Sequence, residues 1–206
     1  MKVRRAGDRA VLVEVESLEA AHRLHAALRD AGLDGLIDVV PGARTVLVIT
    51  DPSRLDPSRL AAELPHWPLP ETAAAASDRL DVPVVYDGAD LPAVAEITGL
   101  TVGEVVRRHT AAHHTVAFLG FAPGFGYISG SDTALHVPRT ESPRTAVPPG
   151  SVALAGPYTG IYPRATPGGW RLIGRTDLPT WDPGRDPPAL LQPGRHVRFH
   201  ETSSLP

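Results

Sequence analysis

The chain has 206 residues, 42% of them hydrophobic and 21% charged, with a formal net charge of -3. It has no cysteine, which excludes disulfides, thiolate zinc sites and a cysteine nucleophile. No run approaches the about 18 apolar residues that a bilayer span needs, and the start MKVRRAGDRAVLVEV lacks the apolar stretch of a signal peptide, so a soluble, cytoplasmic protein is expected.

The segment AVLVEV, residues 10–15, alternates as a strand does. Ser17 then stands where it caps a helix whose Ala21, Leu24, Leu28 and Ala31 share one face, and Gly32 ends it. LIDVV, the turn PGAR and TVLVIT predict a hairpin. Asp56 and Pro57 open a short second helix. Residues 1–64 thus predict a small β-α-β-β-α unit. The proline- and alanine-rich stretch 65–79 predicts a linker, dividing a first domain, 1–78, from a second, 79–206.

The second half opens on a strand, DVPVVY. Asp90 starts a helix that stops near Gly99, and Thr101 with Glu104 makes a capping box for another. From Val116 onward come short strands punctuated by Gly and Pro: TVAFLGF, SVALAG, WRLIGRT and HVRFH. That pattern predicts a β-barrel or sandwich, and α+β as the class of the whole.

Residues 107–175 hold seven arginines against Asp132 and Glu141, a net +5, which leaves -8 for the rest of the chain. A local arginine excess suits carboxylates and phosphates, or is solvated surface. A sequence pI near 6.3 and the lack of a lysine-rich stripe argue against nucleic acid. His109 and His113 are four apart, yet no carboxylate follows at ligand spacing, so no metal is expected there. His109 is a candidate general acid or base, since histidine titrates near neutral pH.

The loop GFAPGFGYISG, residues 120–130, carries Phe121, Phe125 and Tyr127 among Gly120, Gly124 and Gly126. Its glycines permit turns and close ligand approach, and its aromatics form either an apolar wall or a barrel core; the residues leave both open. Arg139 and Arg144 lie in extended, proline-pinned chain. Tyr158, Tyr162, Trp170 and Arg175 follow around Gly168 and Gly169, with Trp170 read first as core. There is no G-x-S-x-G elbow and no P-loop, so the chain alone looks like half of a site.

The runs HTAAHHTVAFLGFAPGFGYISG, VPRTESPRTAVPPGSVALAG, TGIYPRATPGGWRLIGRT and DPPALLQPGRHVRF resemble the allophanate hydrolase subunit 1 / KipI family, whose members include the B subunits of 5-oxoprolinases (PxpB proteins). The resemblance covers about residues 85–200. It implies a small α/β domain followed by a cyclophilin-like β-barrel. It implies a sister subunit of the allophanate hydrolase subunit 2 / PxpC type and a third, PxpA-type subunit, which together open 5-oxoproline to glutamate using ATP and Mg²⁺. His109 and Arg144 are then the catalytic candidates. Phe121, Phe125, Tyr127, Arg139, Tyr158, Tyr162 and Arg175 are the substrate-binding candidates. Gly120, Gly124, Gly126, Gly168 and Gly169 would turn the backbone. Gly126 replaces a proline usual in the family and is expected to loosen the loop, and Tyr158 replaces a glutamine. The alternatives that the resemblance carries are a KipI-type inhibitor of a sensor histidine kinase and an allophanate hydrolase or urea carboxylase-like subunit.

Overall fold

Ser17 starts the first helix as its position requires. In the computed structural model, which describes residues 1–70 and 79–205, its hydroxyl accepts from the Ala20 N–H at 3.1 Å. The helix, α1, runs Leu18–Asp30 and buries Ala20, Ala21, Leu24 and Leu28. Gly32, at φ 58°, takes the left-handed turn beyond it. Ser17→Ala is expected to lower stability by about 1 kcal/mol, read from the shift in urea midpoint.

Contacts divide the chain into two compact units, Met1–Ala75 and Ala76–Pro206. The first has four antiparallel strands, β1 (Lys2–Ala6), β2 (Ala10–Glu14), β3 (Leu36–Pro41) and β4 (Thr45–Thr50), in the order β1-β2-β4-β3. The predicted hairpin is β3–β4. Strand β1 escapes the sequence pattern, because KVRRA is an edge with no buried residue and so lacks alternation. Helix α2 (Pro57–Glu63) has Asp56 as its cap, accepting from Ser58 N–H at 2.9 Å. The predicted linker begins with a 3₁₀ turn at Leu64–His66, and Trp67 and Leu69 pack on the core of the first unit. The remainder of that linker, residues 71–78, lies outside the described residues.

The second unit contains β5 (Arg79–Val84), α3 (Leu91–Thr98), α4 (Val102–Ala111), β6 (His114–Leu119), β7 (Gly126–Ser129), β8 (Arg144–Val147), β9 (Ser151–Ala155), β10 (Tyr158–Ile161), β11 (Thr166–Gly168), β12 (Arg171–Arg175) and β13 (His196–Glu201). Seven of its strands form one sheet, β12-β9-β10-β7-β6-β13-β5. Val85 and Arg175 exchange two backbone hydrogen bonds of 2.9 Å, joining the end of β5 back to β12. The sheet is therefore a nearly closed barrel, and the α+β class is as expected. Val82, Val84, Val116, Ile128, Leu154, Ile161 and Phe199 fill it, with Val94 and Val105 of the two helices. Thr101 caps α4 as predicted, accepting from Glu104 N–H at 3.2 Å. Strands β8 and β11 stand apart as a two-stranded ribbon. No helix among the described residues is long and apolar enough to cross a membrane.

Candidate functional site

The aromatic loop is the tip of the β6–β7 hairpin. Ala122–Phe125 is a turn closed by the Phe125 N–H on the Ala122 carbonyl at 2.9 Å. Pro123 and Gly124, at φ 82°, occupy its centre, which is the type II preference. Gly124 also lies under Trp181, whose Cβ would be 2.6 Å from an added methyl. Just before it, the Ala122 N–H bonds back to the Gly120 carbonyl at 2.8 Å, a three-residue turn centred on Phe121. Phe121 is the one non-glycine residue with positive φ, 68°, among the described residues, and it is 60% exposed. A bulky side chain in that region is strained, and such strain gathers at functional sites.

Below this tip the rings meet edge to face. Phe125 is buried and lies 5.3 Å, centroid to centroid, from each of Phe121, Tyr127, Tyr162 and Trp170. Tyr158 joins through Tyr127 and Phe118. The two sequence alternatives for the loop are thus divided by residue: Phe125 and Trp170 are core, while Phe121 stands out from it. A cleft of about 270 Å³ borders Tyr162, lined also by Thr176, Leu178, Thr180 and Trp181.

The glycines do not all turn the chain. Among the five named, only Gly124 has positive φ. Gly126 opens strand β7, and its role is size: an added Cβ would meet Leu191 at 2.8 Å. It does not loosen a loop. Gly168 lies in β11 beneath the Tyr162 hydroxyl, 2.3 Å from where its Cβ would stand. A Cβ added at Gly120 or Gly169 would make only ordinary contact, with Tyr127 and Thr140.

Four of the seven arginines in the window pair with acids, three of which lie upstream of it. Arg107 and Arg108 bond Glu104, and Arg108 also bonds Asp132. Arg175 pairs with Asp87 at 2.8 Å on an exposed rim. Arg144 Nη2 donates to Asp90 Oδ1 at 2.6 Å. The other Asp90 oxygen accepts from Leu172 N–H at 2.7 Å. Asp90 stands at the predicted start of α3, but its side chain makes no capping bond; it is spent on the arginine and the sheet. Arg144 and Gly168 are register partners across the β8–β11 ribbon, so Arg144 reaches the neighbourhood of Tyr162. Arg139 is exposed and has no ion pair among the described residues.

His109 is not brought to this group. It is fully buried in α4, with Nδ1 2.7 Å from the Tyr86 hydroxyl and Nε2 3.1 Å from Thr159 Oγ1. His114 and Phe199 pack on its ring at 4.9 and 4.6 Å. Burial, then the neighbouring His114, pushes it well below the ordinary 6.5, so it stays neutral. An imidazole with both nitrogens bonded and no access to the cleft holds helix to barrel. The expected shared face with His113 does not form either, because α4 ends at Ala111 and His113 lies beyond it. Among the described residues no group of His, Asp and Glu is suited to a metal ion.

This network makes stability sensitive to acid. In the unfolded chain the imidazole takes up its proton near pH 6.5, and in the folded chain only well below that. The stabilisation is therefore complete above about pH 6.5 and is lost as pH falls below it. Urea midpoints are expected to hold on the alkaline side and drop on the acid side. His109→Gln should give a shallower drop, not a flat one, because burial also lowers His114, and His25 of the first unit is lowered to about 4.

Residues 1–191 match the family described as Carboxyltransferase domain, subdomain C and D. The chain belongs to this family. It is 41% identical to the 5-oxoprolinase B subunit of Escherichia coli O157:H7 over 94% of this chain and 92% of that one. It is 37% identical to the 5-oxoprolinase B subunit of Haemophilus influenzae over 80% and 78%. The crystal structure of TTHA0988 superposes with a TM-score of 0.82 at 38% identity, covering 95% of this chain. The chain spans only 40% of the length of that protein. The Kluyveromyces lactis urea carboxylase, at 22% identity and a TM-score of 0.74, shares the fold; 98% of this chain and 22% of that one are covered.

Sequence reasoning found Arg144 and Tyr162 but missed Asp90 as the partner of Arg144, and Thr166 on the ribbon beside them. The acidic residues just upstream of the arginine-rich window were the available signal.

Proposed function

We propose that the chain is the B subunit of a 5-oxoprolinase, acting with a sister subunit of the PxpC type and a third, PxpA-type subunit to open 5-oxoproline to glutamate with ATP. The observation that carries this reading is the 41% identity to a 5-oxoprolinase B subunit, which runs through nearly the whole of both chains. The kinase-inhibitor and allophanate readings have no comparable support, since all three curated relatives are 5-oxoprolinase B subunits by name.

The geometry supports a share of the work. Arg144, Arg139 and Tyr162 suit one anionic group beside an aromatic wall. Asp90 is committed to Arg144, and among the described residues no group of carboxylates and histidines is placed to hold a metal ion, so the residues here do not fit a magnesium ion and no step is routed through one. ATP, when bound, supplies the phosphoryl group that activates the lactam oxygen. Its polyphosphate needs more positive charge than this chain gathers, and the sister subunit is assigned that part. Co-expression of the chain with its sister subunits should give ATP hydrolysis stimulated by 5-oxoproline, with neither part active alone. Absence of that stimulation in the assembled complex overturns the reading.

A further inference from the structure

Two buried side-chain atoms on the β8–β11 ribbon have no hydrogen-bond partner, Arg144 Nη1 and Thr166 Oγ1. Such atoms are few in native proteins, and each marks a place where something else completes the bonding. Thr166 lies two residues before Gly168 in β11, with a shift in the ribbon's register between them. Arg144 lies opposite Gly168 across the ribbon. The Tyr162 hydroxyl sits over Gly168, close to the Trp170 backbone N–H, and has a proton to donate. Arg139 precedes Thr140, whose N–H and hydroxyl both bond the Gly169 carbonyl, at 2.8 and 3.2 Å, and its charge acts on the Tyr162 hydroxyl. Arg144 and the Tyr162 hydroxyl therefore meet at Gly168, with the Arg139 charge nearby and Thr166 two residues along the same strand.

Charge selects the ligand class. At the Tyr162 hydroxyl the arginines that act are Arg139 and Arg144, and Asp90 is paired with Arg144, leaving one net positive charge. That matches a singly charged carboxylate better than a phosphate or polyphosphate. Phe121, exposed and edge-on to Tyr162, offers an apolar flank for a small ring. Asp90 is nearly buried and uses one oxygen on Arg144 and the other on the Leu172 amide, so it fixes the guanidinium through Nη2 and leaves Nη1 without a partner.

We propose that this ribbon is the carboxylate-recognition site for a five-membered lactam acid: Arg144 Nη1, the Tyr162 and Thr166 hydroxyls and Arg139 receive the carboxylate, and Asp90 is the positioning residue for Arg144. The choice of lactam rests on the 5-oxoprolinase reading; the carboxylate site rests on the ribbon alone.

Calorimetry on the full chain, alone and in complex with its sister subunits, compares 5-oxoproline with 2-pyrrolidinone, which lacks the carboxylate, and with inorganic phosphate. 5-Oxoproline should bind at least about tenfold more tightly than either, the effect of a charge-assisted hydrogen bond. Arg144→Lys and Asp90→Asn should each remove about tenfold of that preference and leave 2-pyrrolidinone binding as it was. In the complex, Asp90→Asn should raise KM for 5-oxoproline and leave KM for ATP in place, with partial recovery in Asp90→Glu. A merely structural role would move both KM values together, whatever the change in melting temperature. Equal binding of the two lactams, tighter binding of phosphate, or a change in KM for ATP alone overturns the proposal. A complex that binds 5-oxoproline through Arg144 but shows no stimulated ATP hydrolysis keeps this site and overturns the function reading. An active complex indifferent to Arg144 does the reverse.

Discussion

Replacing Asp90 by alanine is expected to destabilise the second unit by about 3 kcal/mol, the range for breaking one partner of a largely buried ion pair. Two losses add. Arg144 keeps its charge in a site only 31% exposed, and its anchoring carboxylate at 2.6 Å is gone. The Leu172 N–H, in a buried stretch of β12, loses its 2.7 Å acceptor. Urea unfolding followed by tryptophan fluorescence should show the midpoint falling with an unchanged slope. Asp90→Asn should cost less, because an amide oxygen can still accept from one of the two donors. A loss below about 1 kcal/mol for alanine would mean that the pair contributes no more than an exposed one.

Phe121→Gly is expected to separate activity from stability. The present φ of 68° costs a phenylalanine about 1–3 kcal/mol, and glycine adopts it without strain. Against this stands about 0.5–1 kcal/mol of extra unfolded-state freedom and the little packing that a 60% exposed ring provides. The melting temperature should therefore stay the same or rise. The 5-oxoproline-dependent rate of the complex should fall by at least about tenfold, because the strained ring is held out beside Tyr162 where substrate or partner would meet it. A variant that melts lower and keeps full activity would show that Phe121 only packs.

Short-range chemistry was legible in the sequence. Ser17, Asp56 and Thr101 each cap a helix through a residue two or three positions on, and Gly99 closes α3 in the left-handed region. The β3–β4 hairpin and the barrel strands with alternating residues were legible for the same reason. What was not legible depends on residues far apart in the chain. Asp90 looks like a cap until β12 and Arg144 arrive, at separations of 82 and 54 residues. His109 looks available for proton transfer until Tyr86 and Thr159 close on its two nitrogens. Gly126 and Gly168 look like turn residues, but their smallness serves Leu191 and Tyr162, which no local pattern announces. Strands β7, β8, β10 and β11, of three or four residues each, are too short to show a period.

Strand β5, from the start of the second unit, lies parallel to β13, from its end, and the Val85–Arg175 bonds complete the ring from the far side of β5. A ring joined through the unit's first and last strands cannot close until the last of them has been synthesised. Until His196–Glu201 is available, β5 and β6 both present unpaired edges, and His109 lacks the Phe199 ring that covers it. Folding of this unit should therefore wait for its final strand and run on the slow scale of about milliseconds to seconds typical of non-local β topologies. The nascent chain would be most prone to aggregation just before that strand appears.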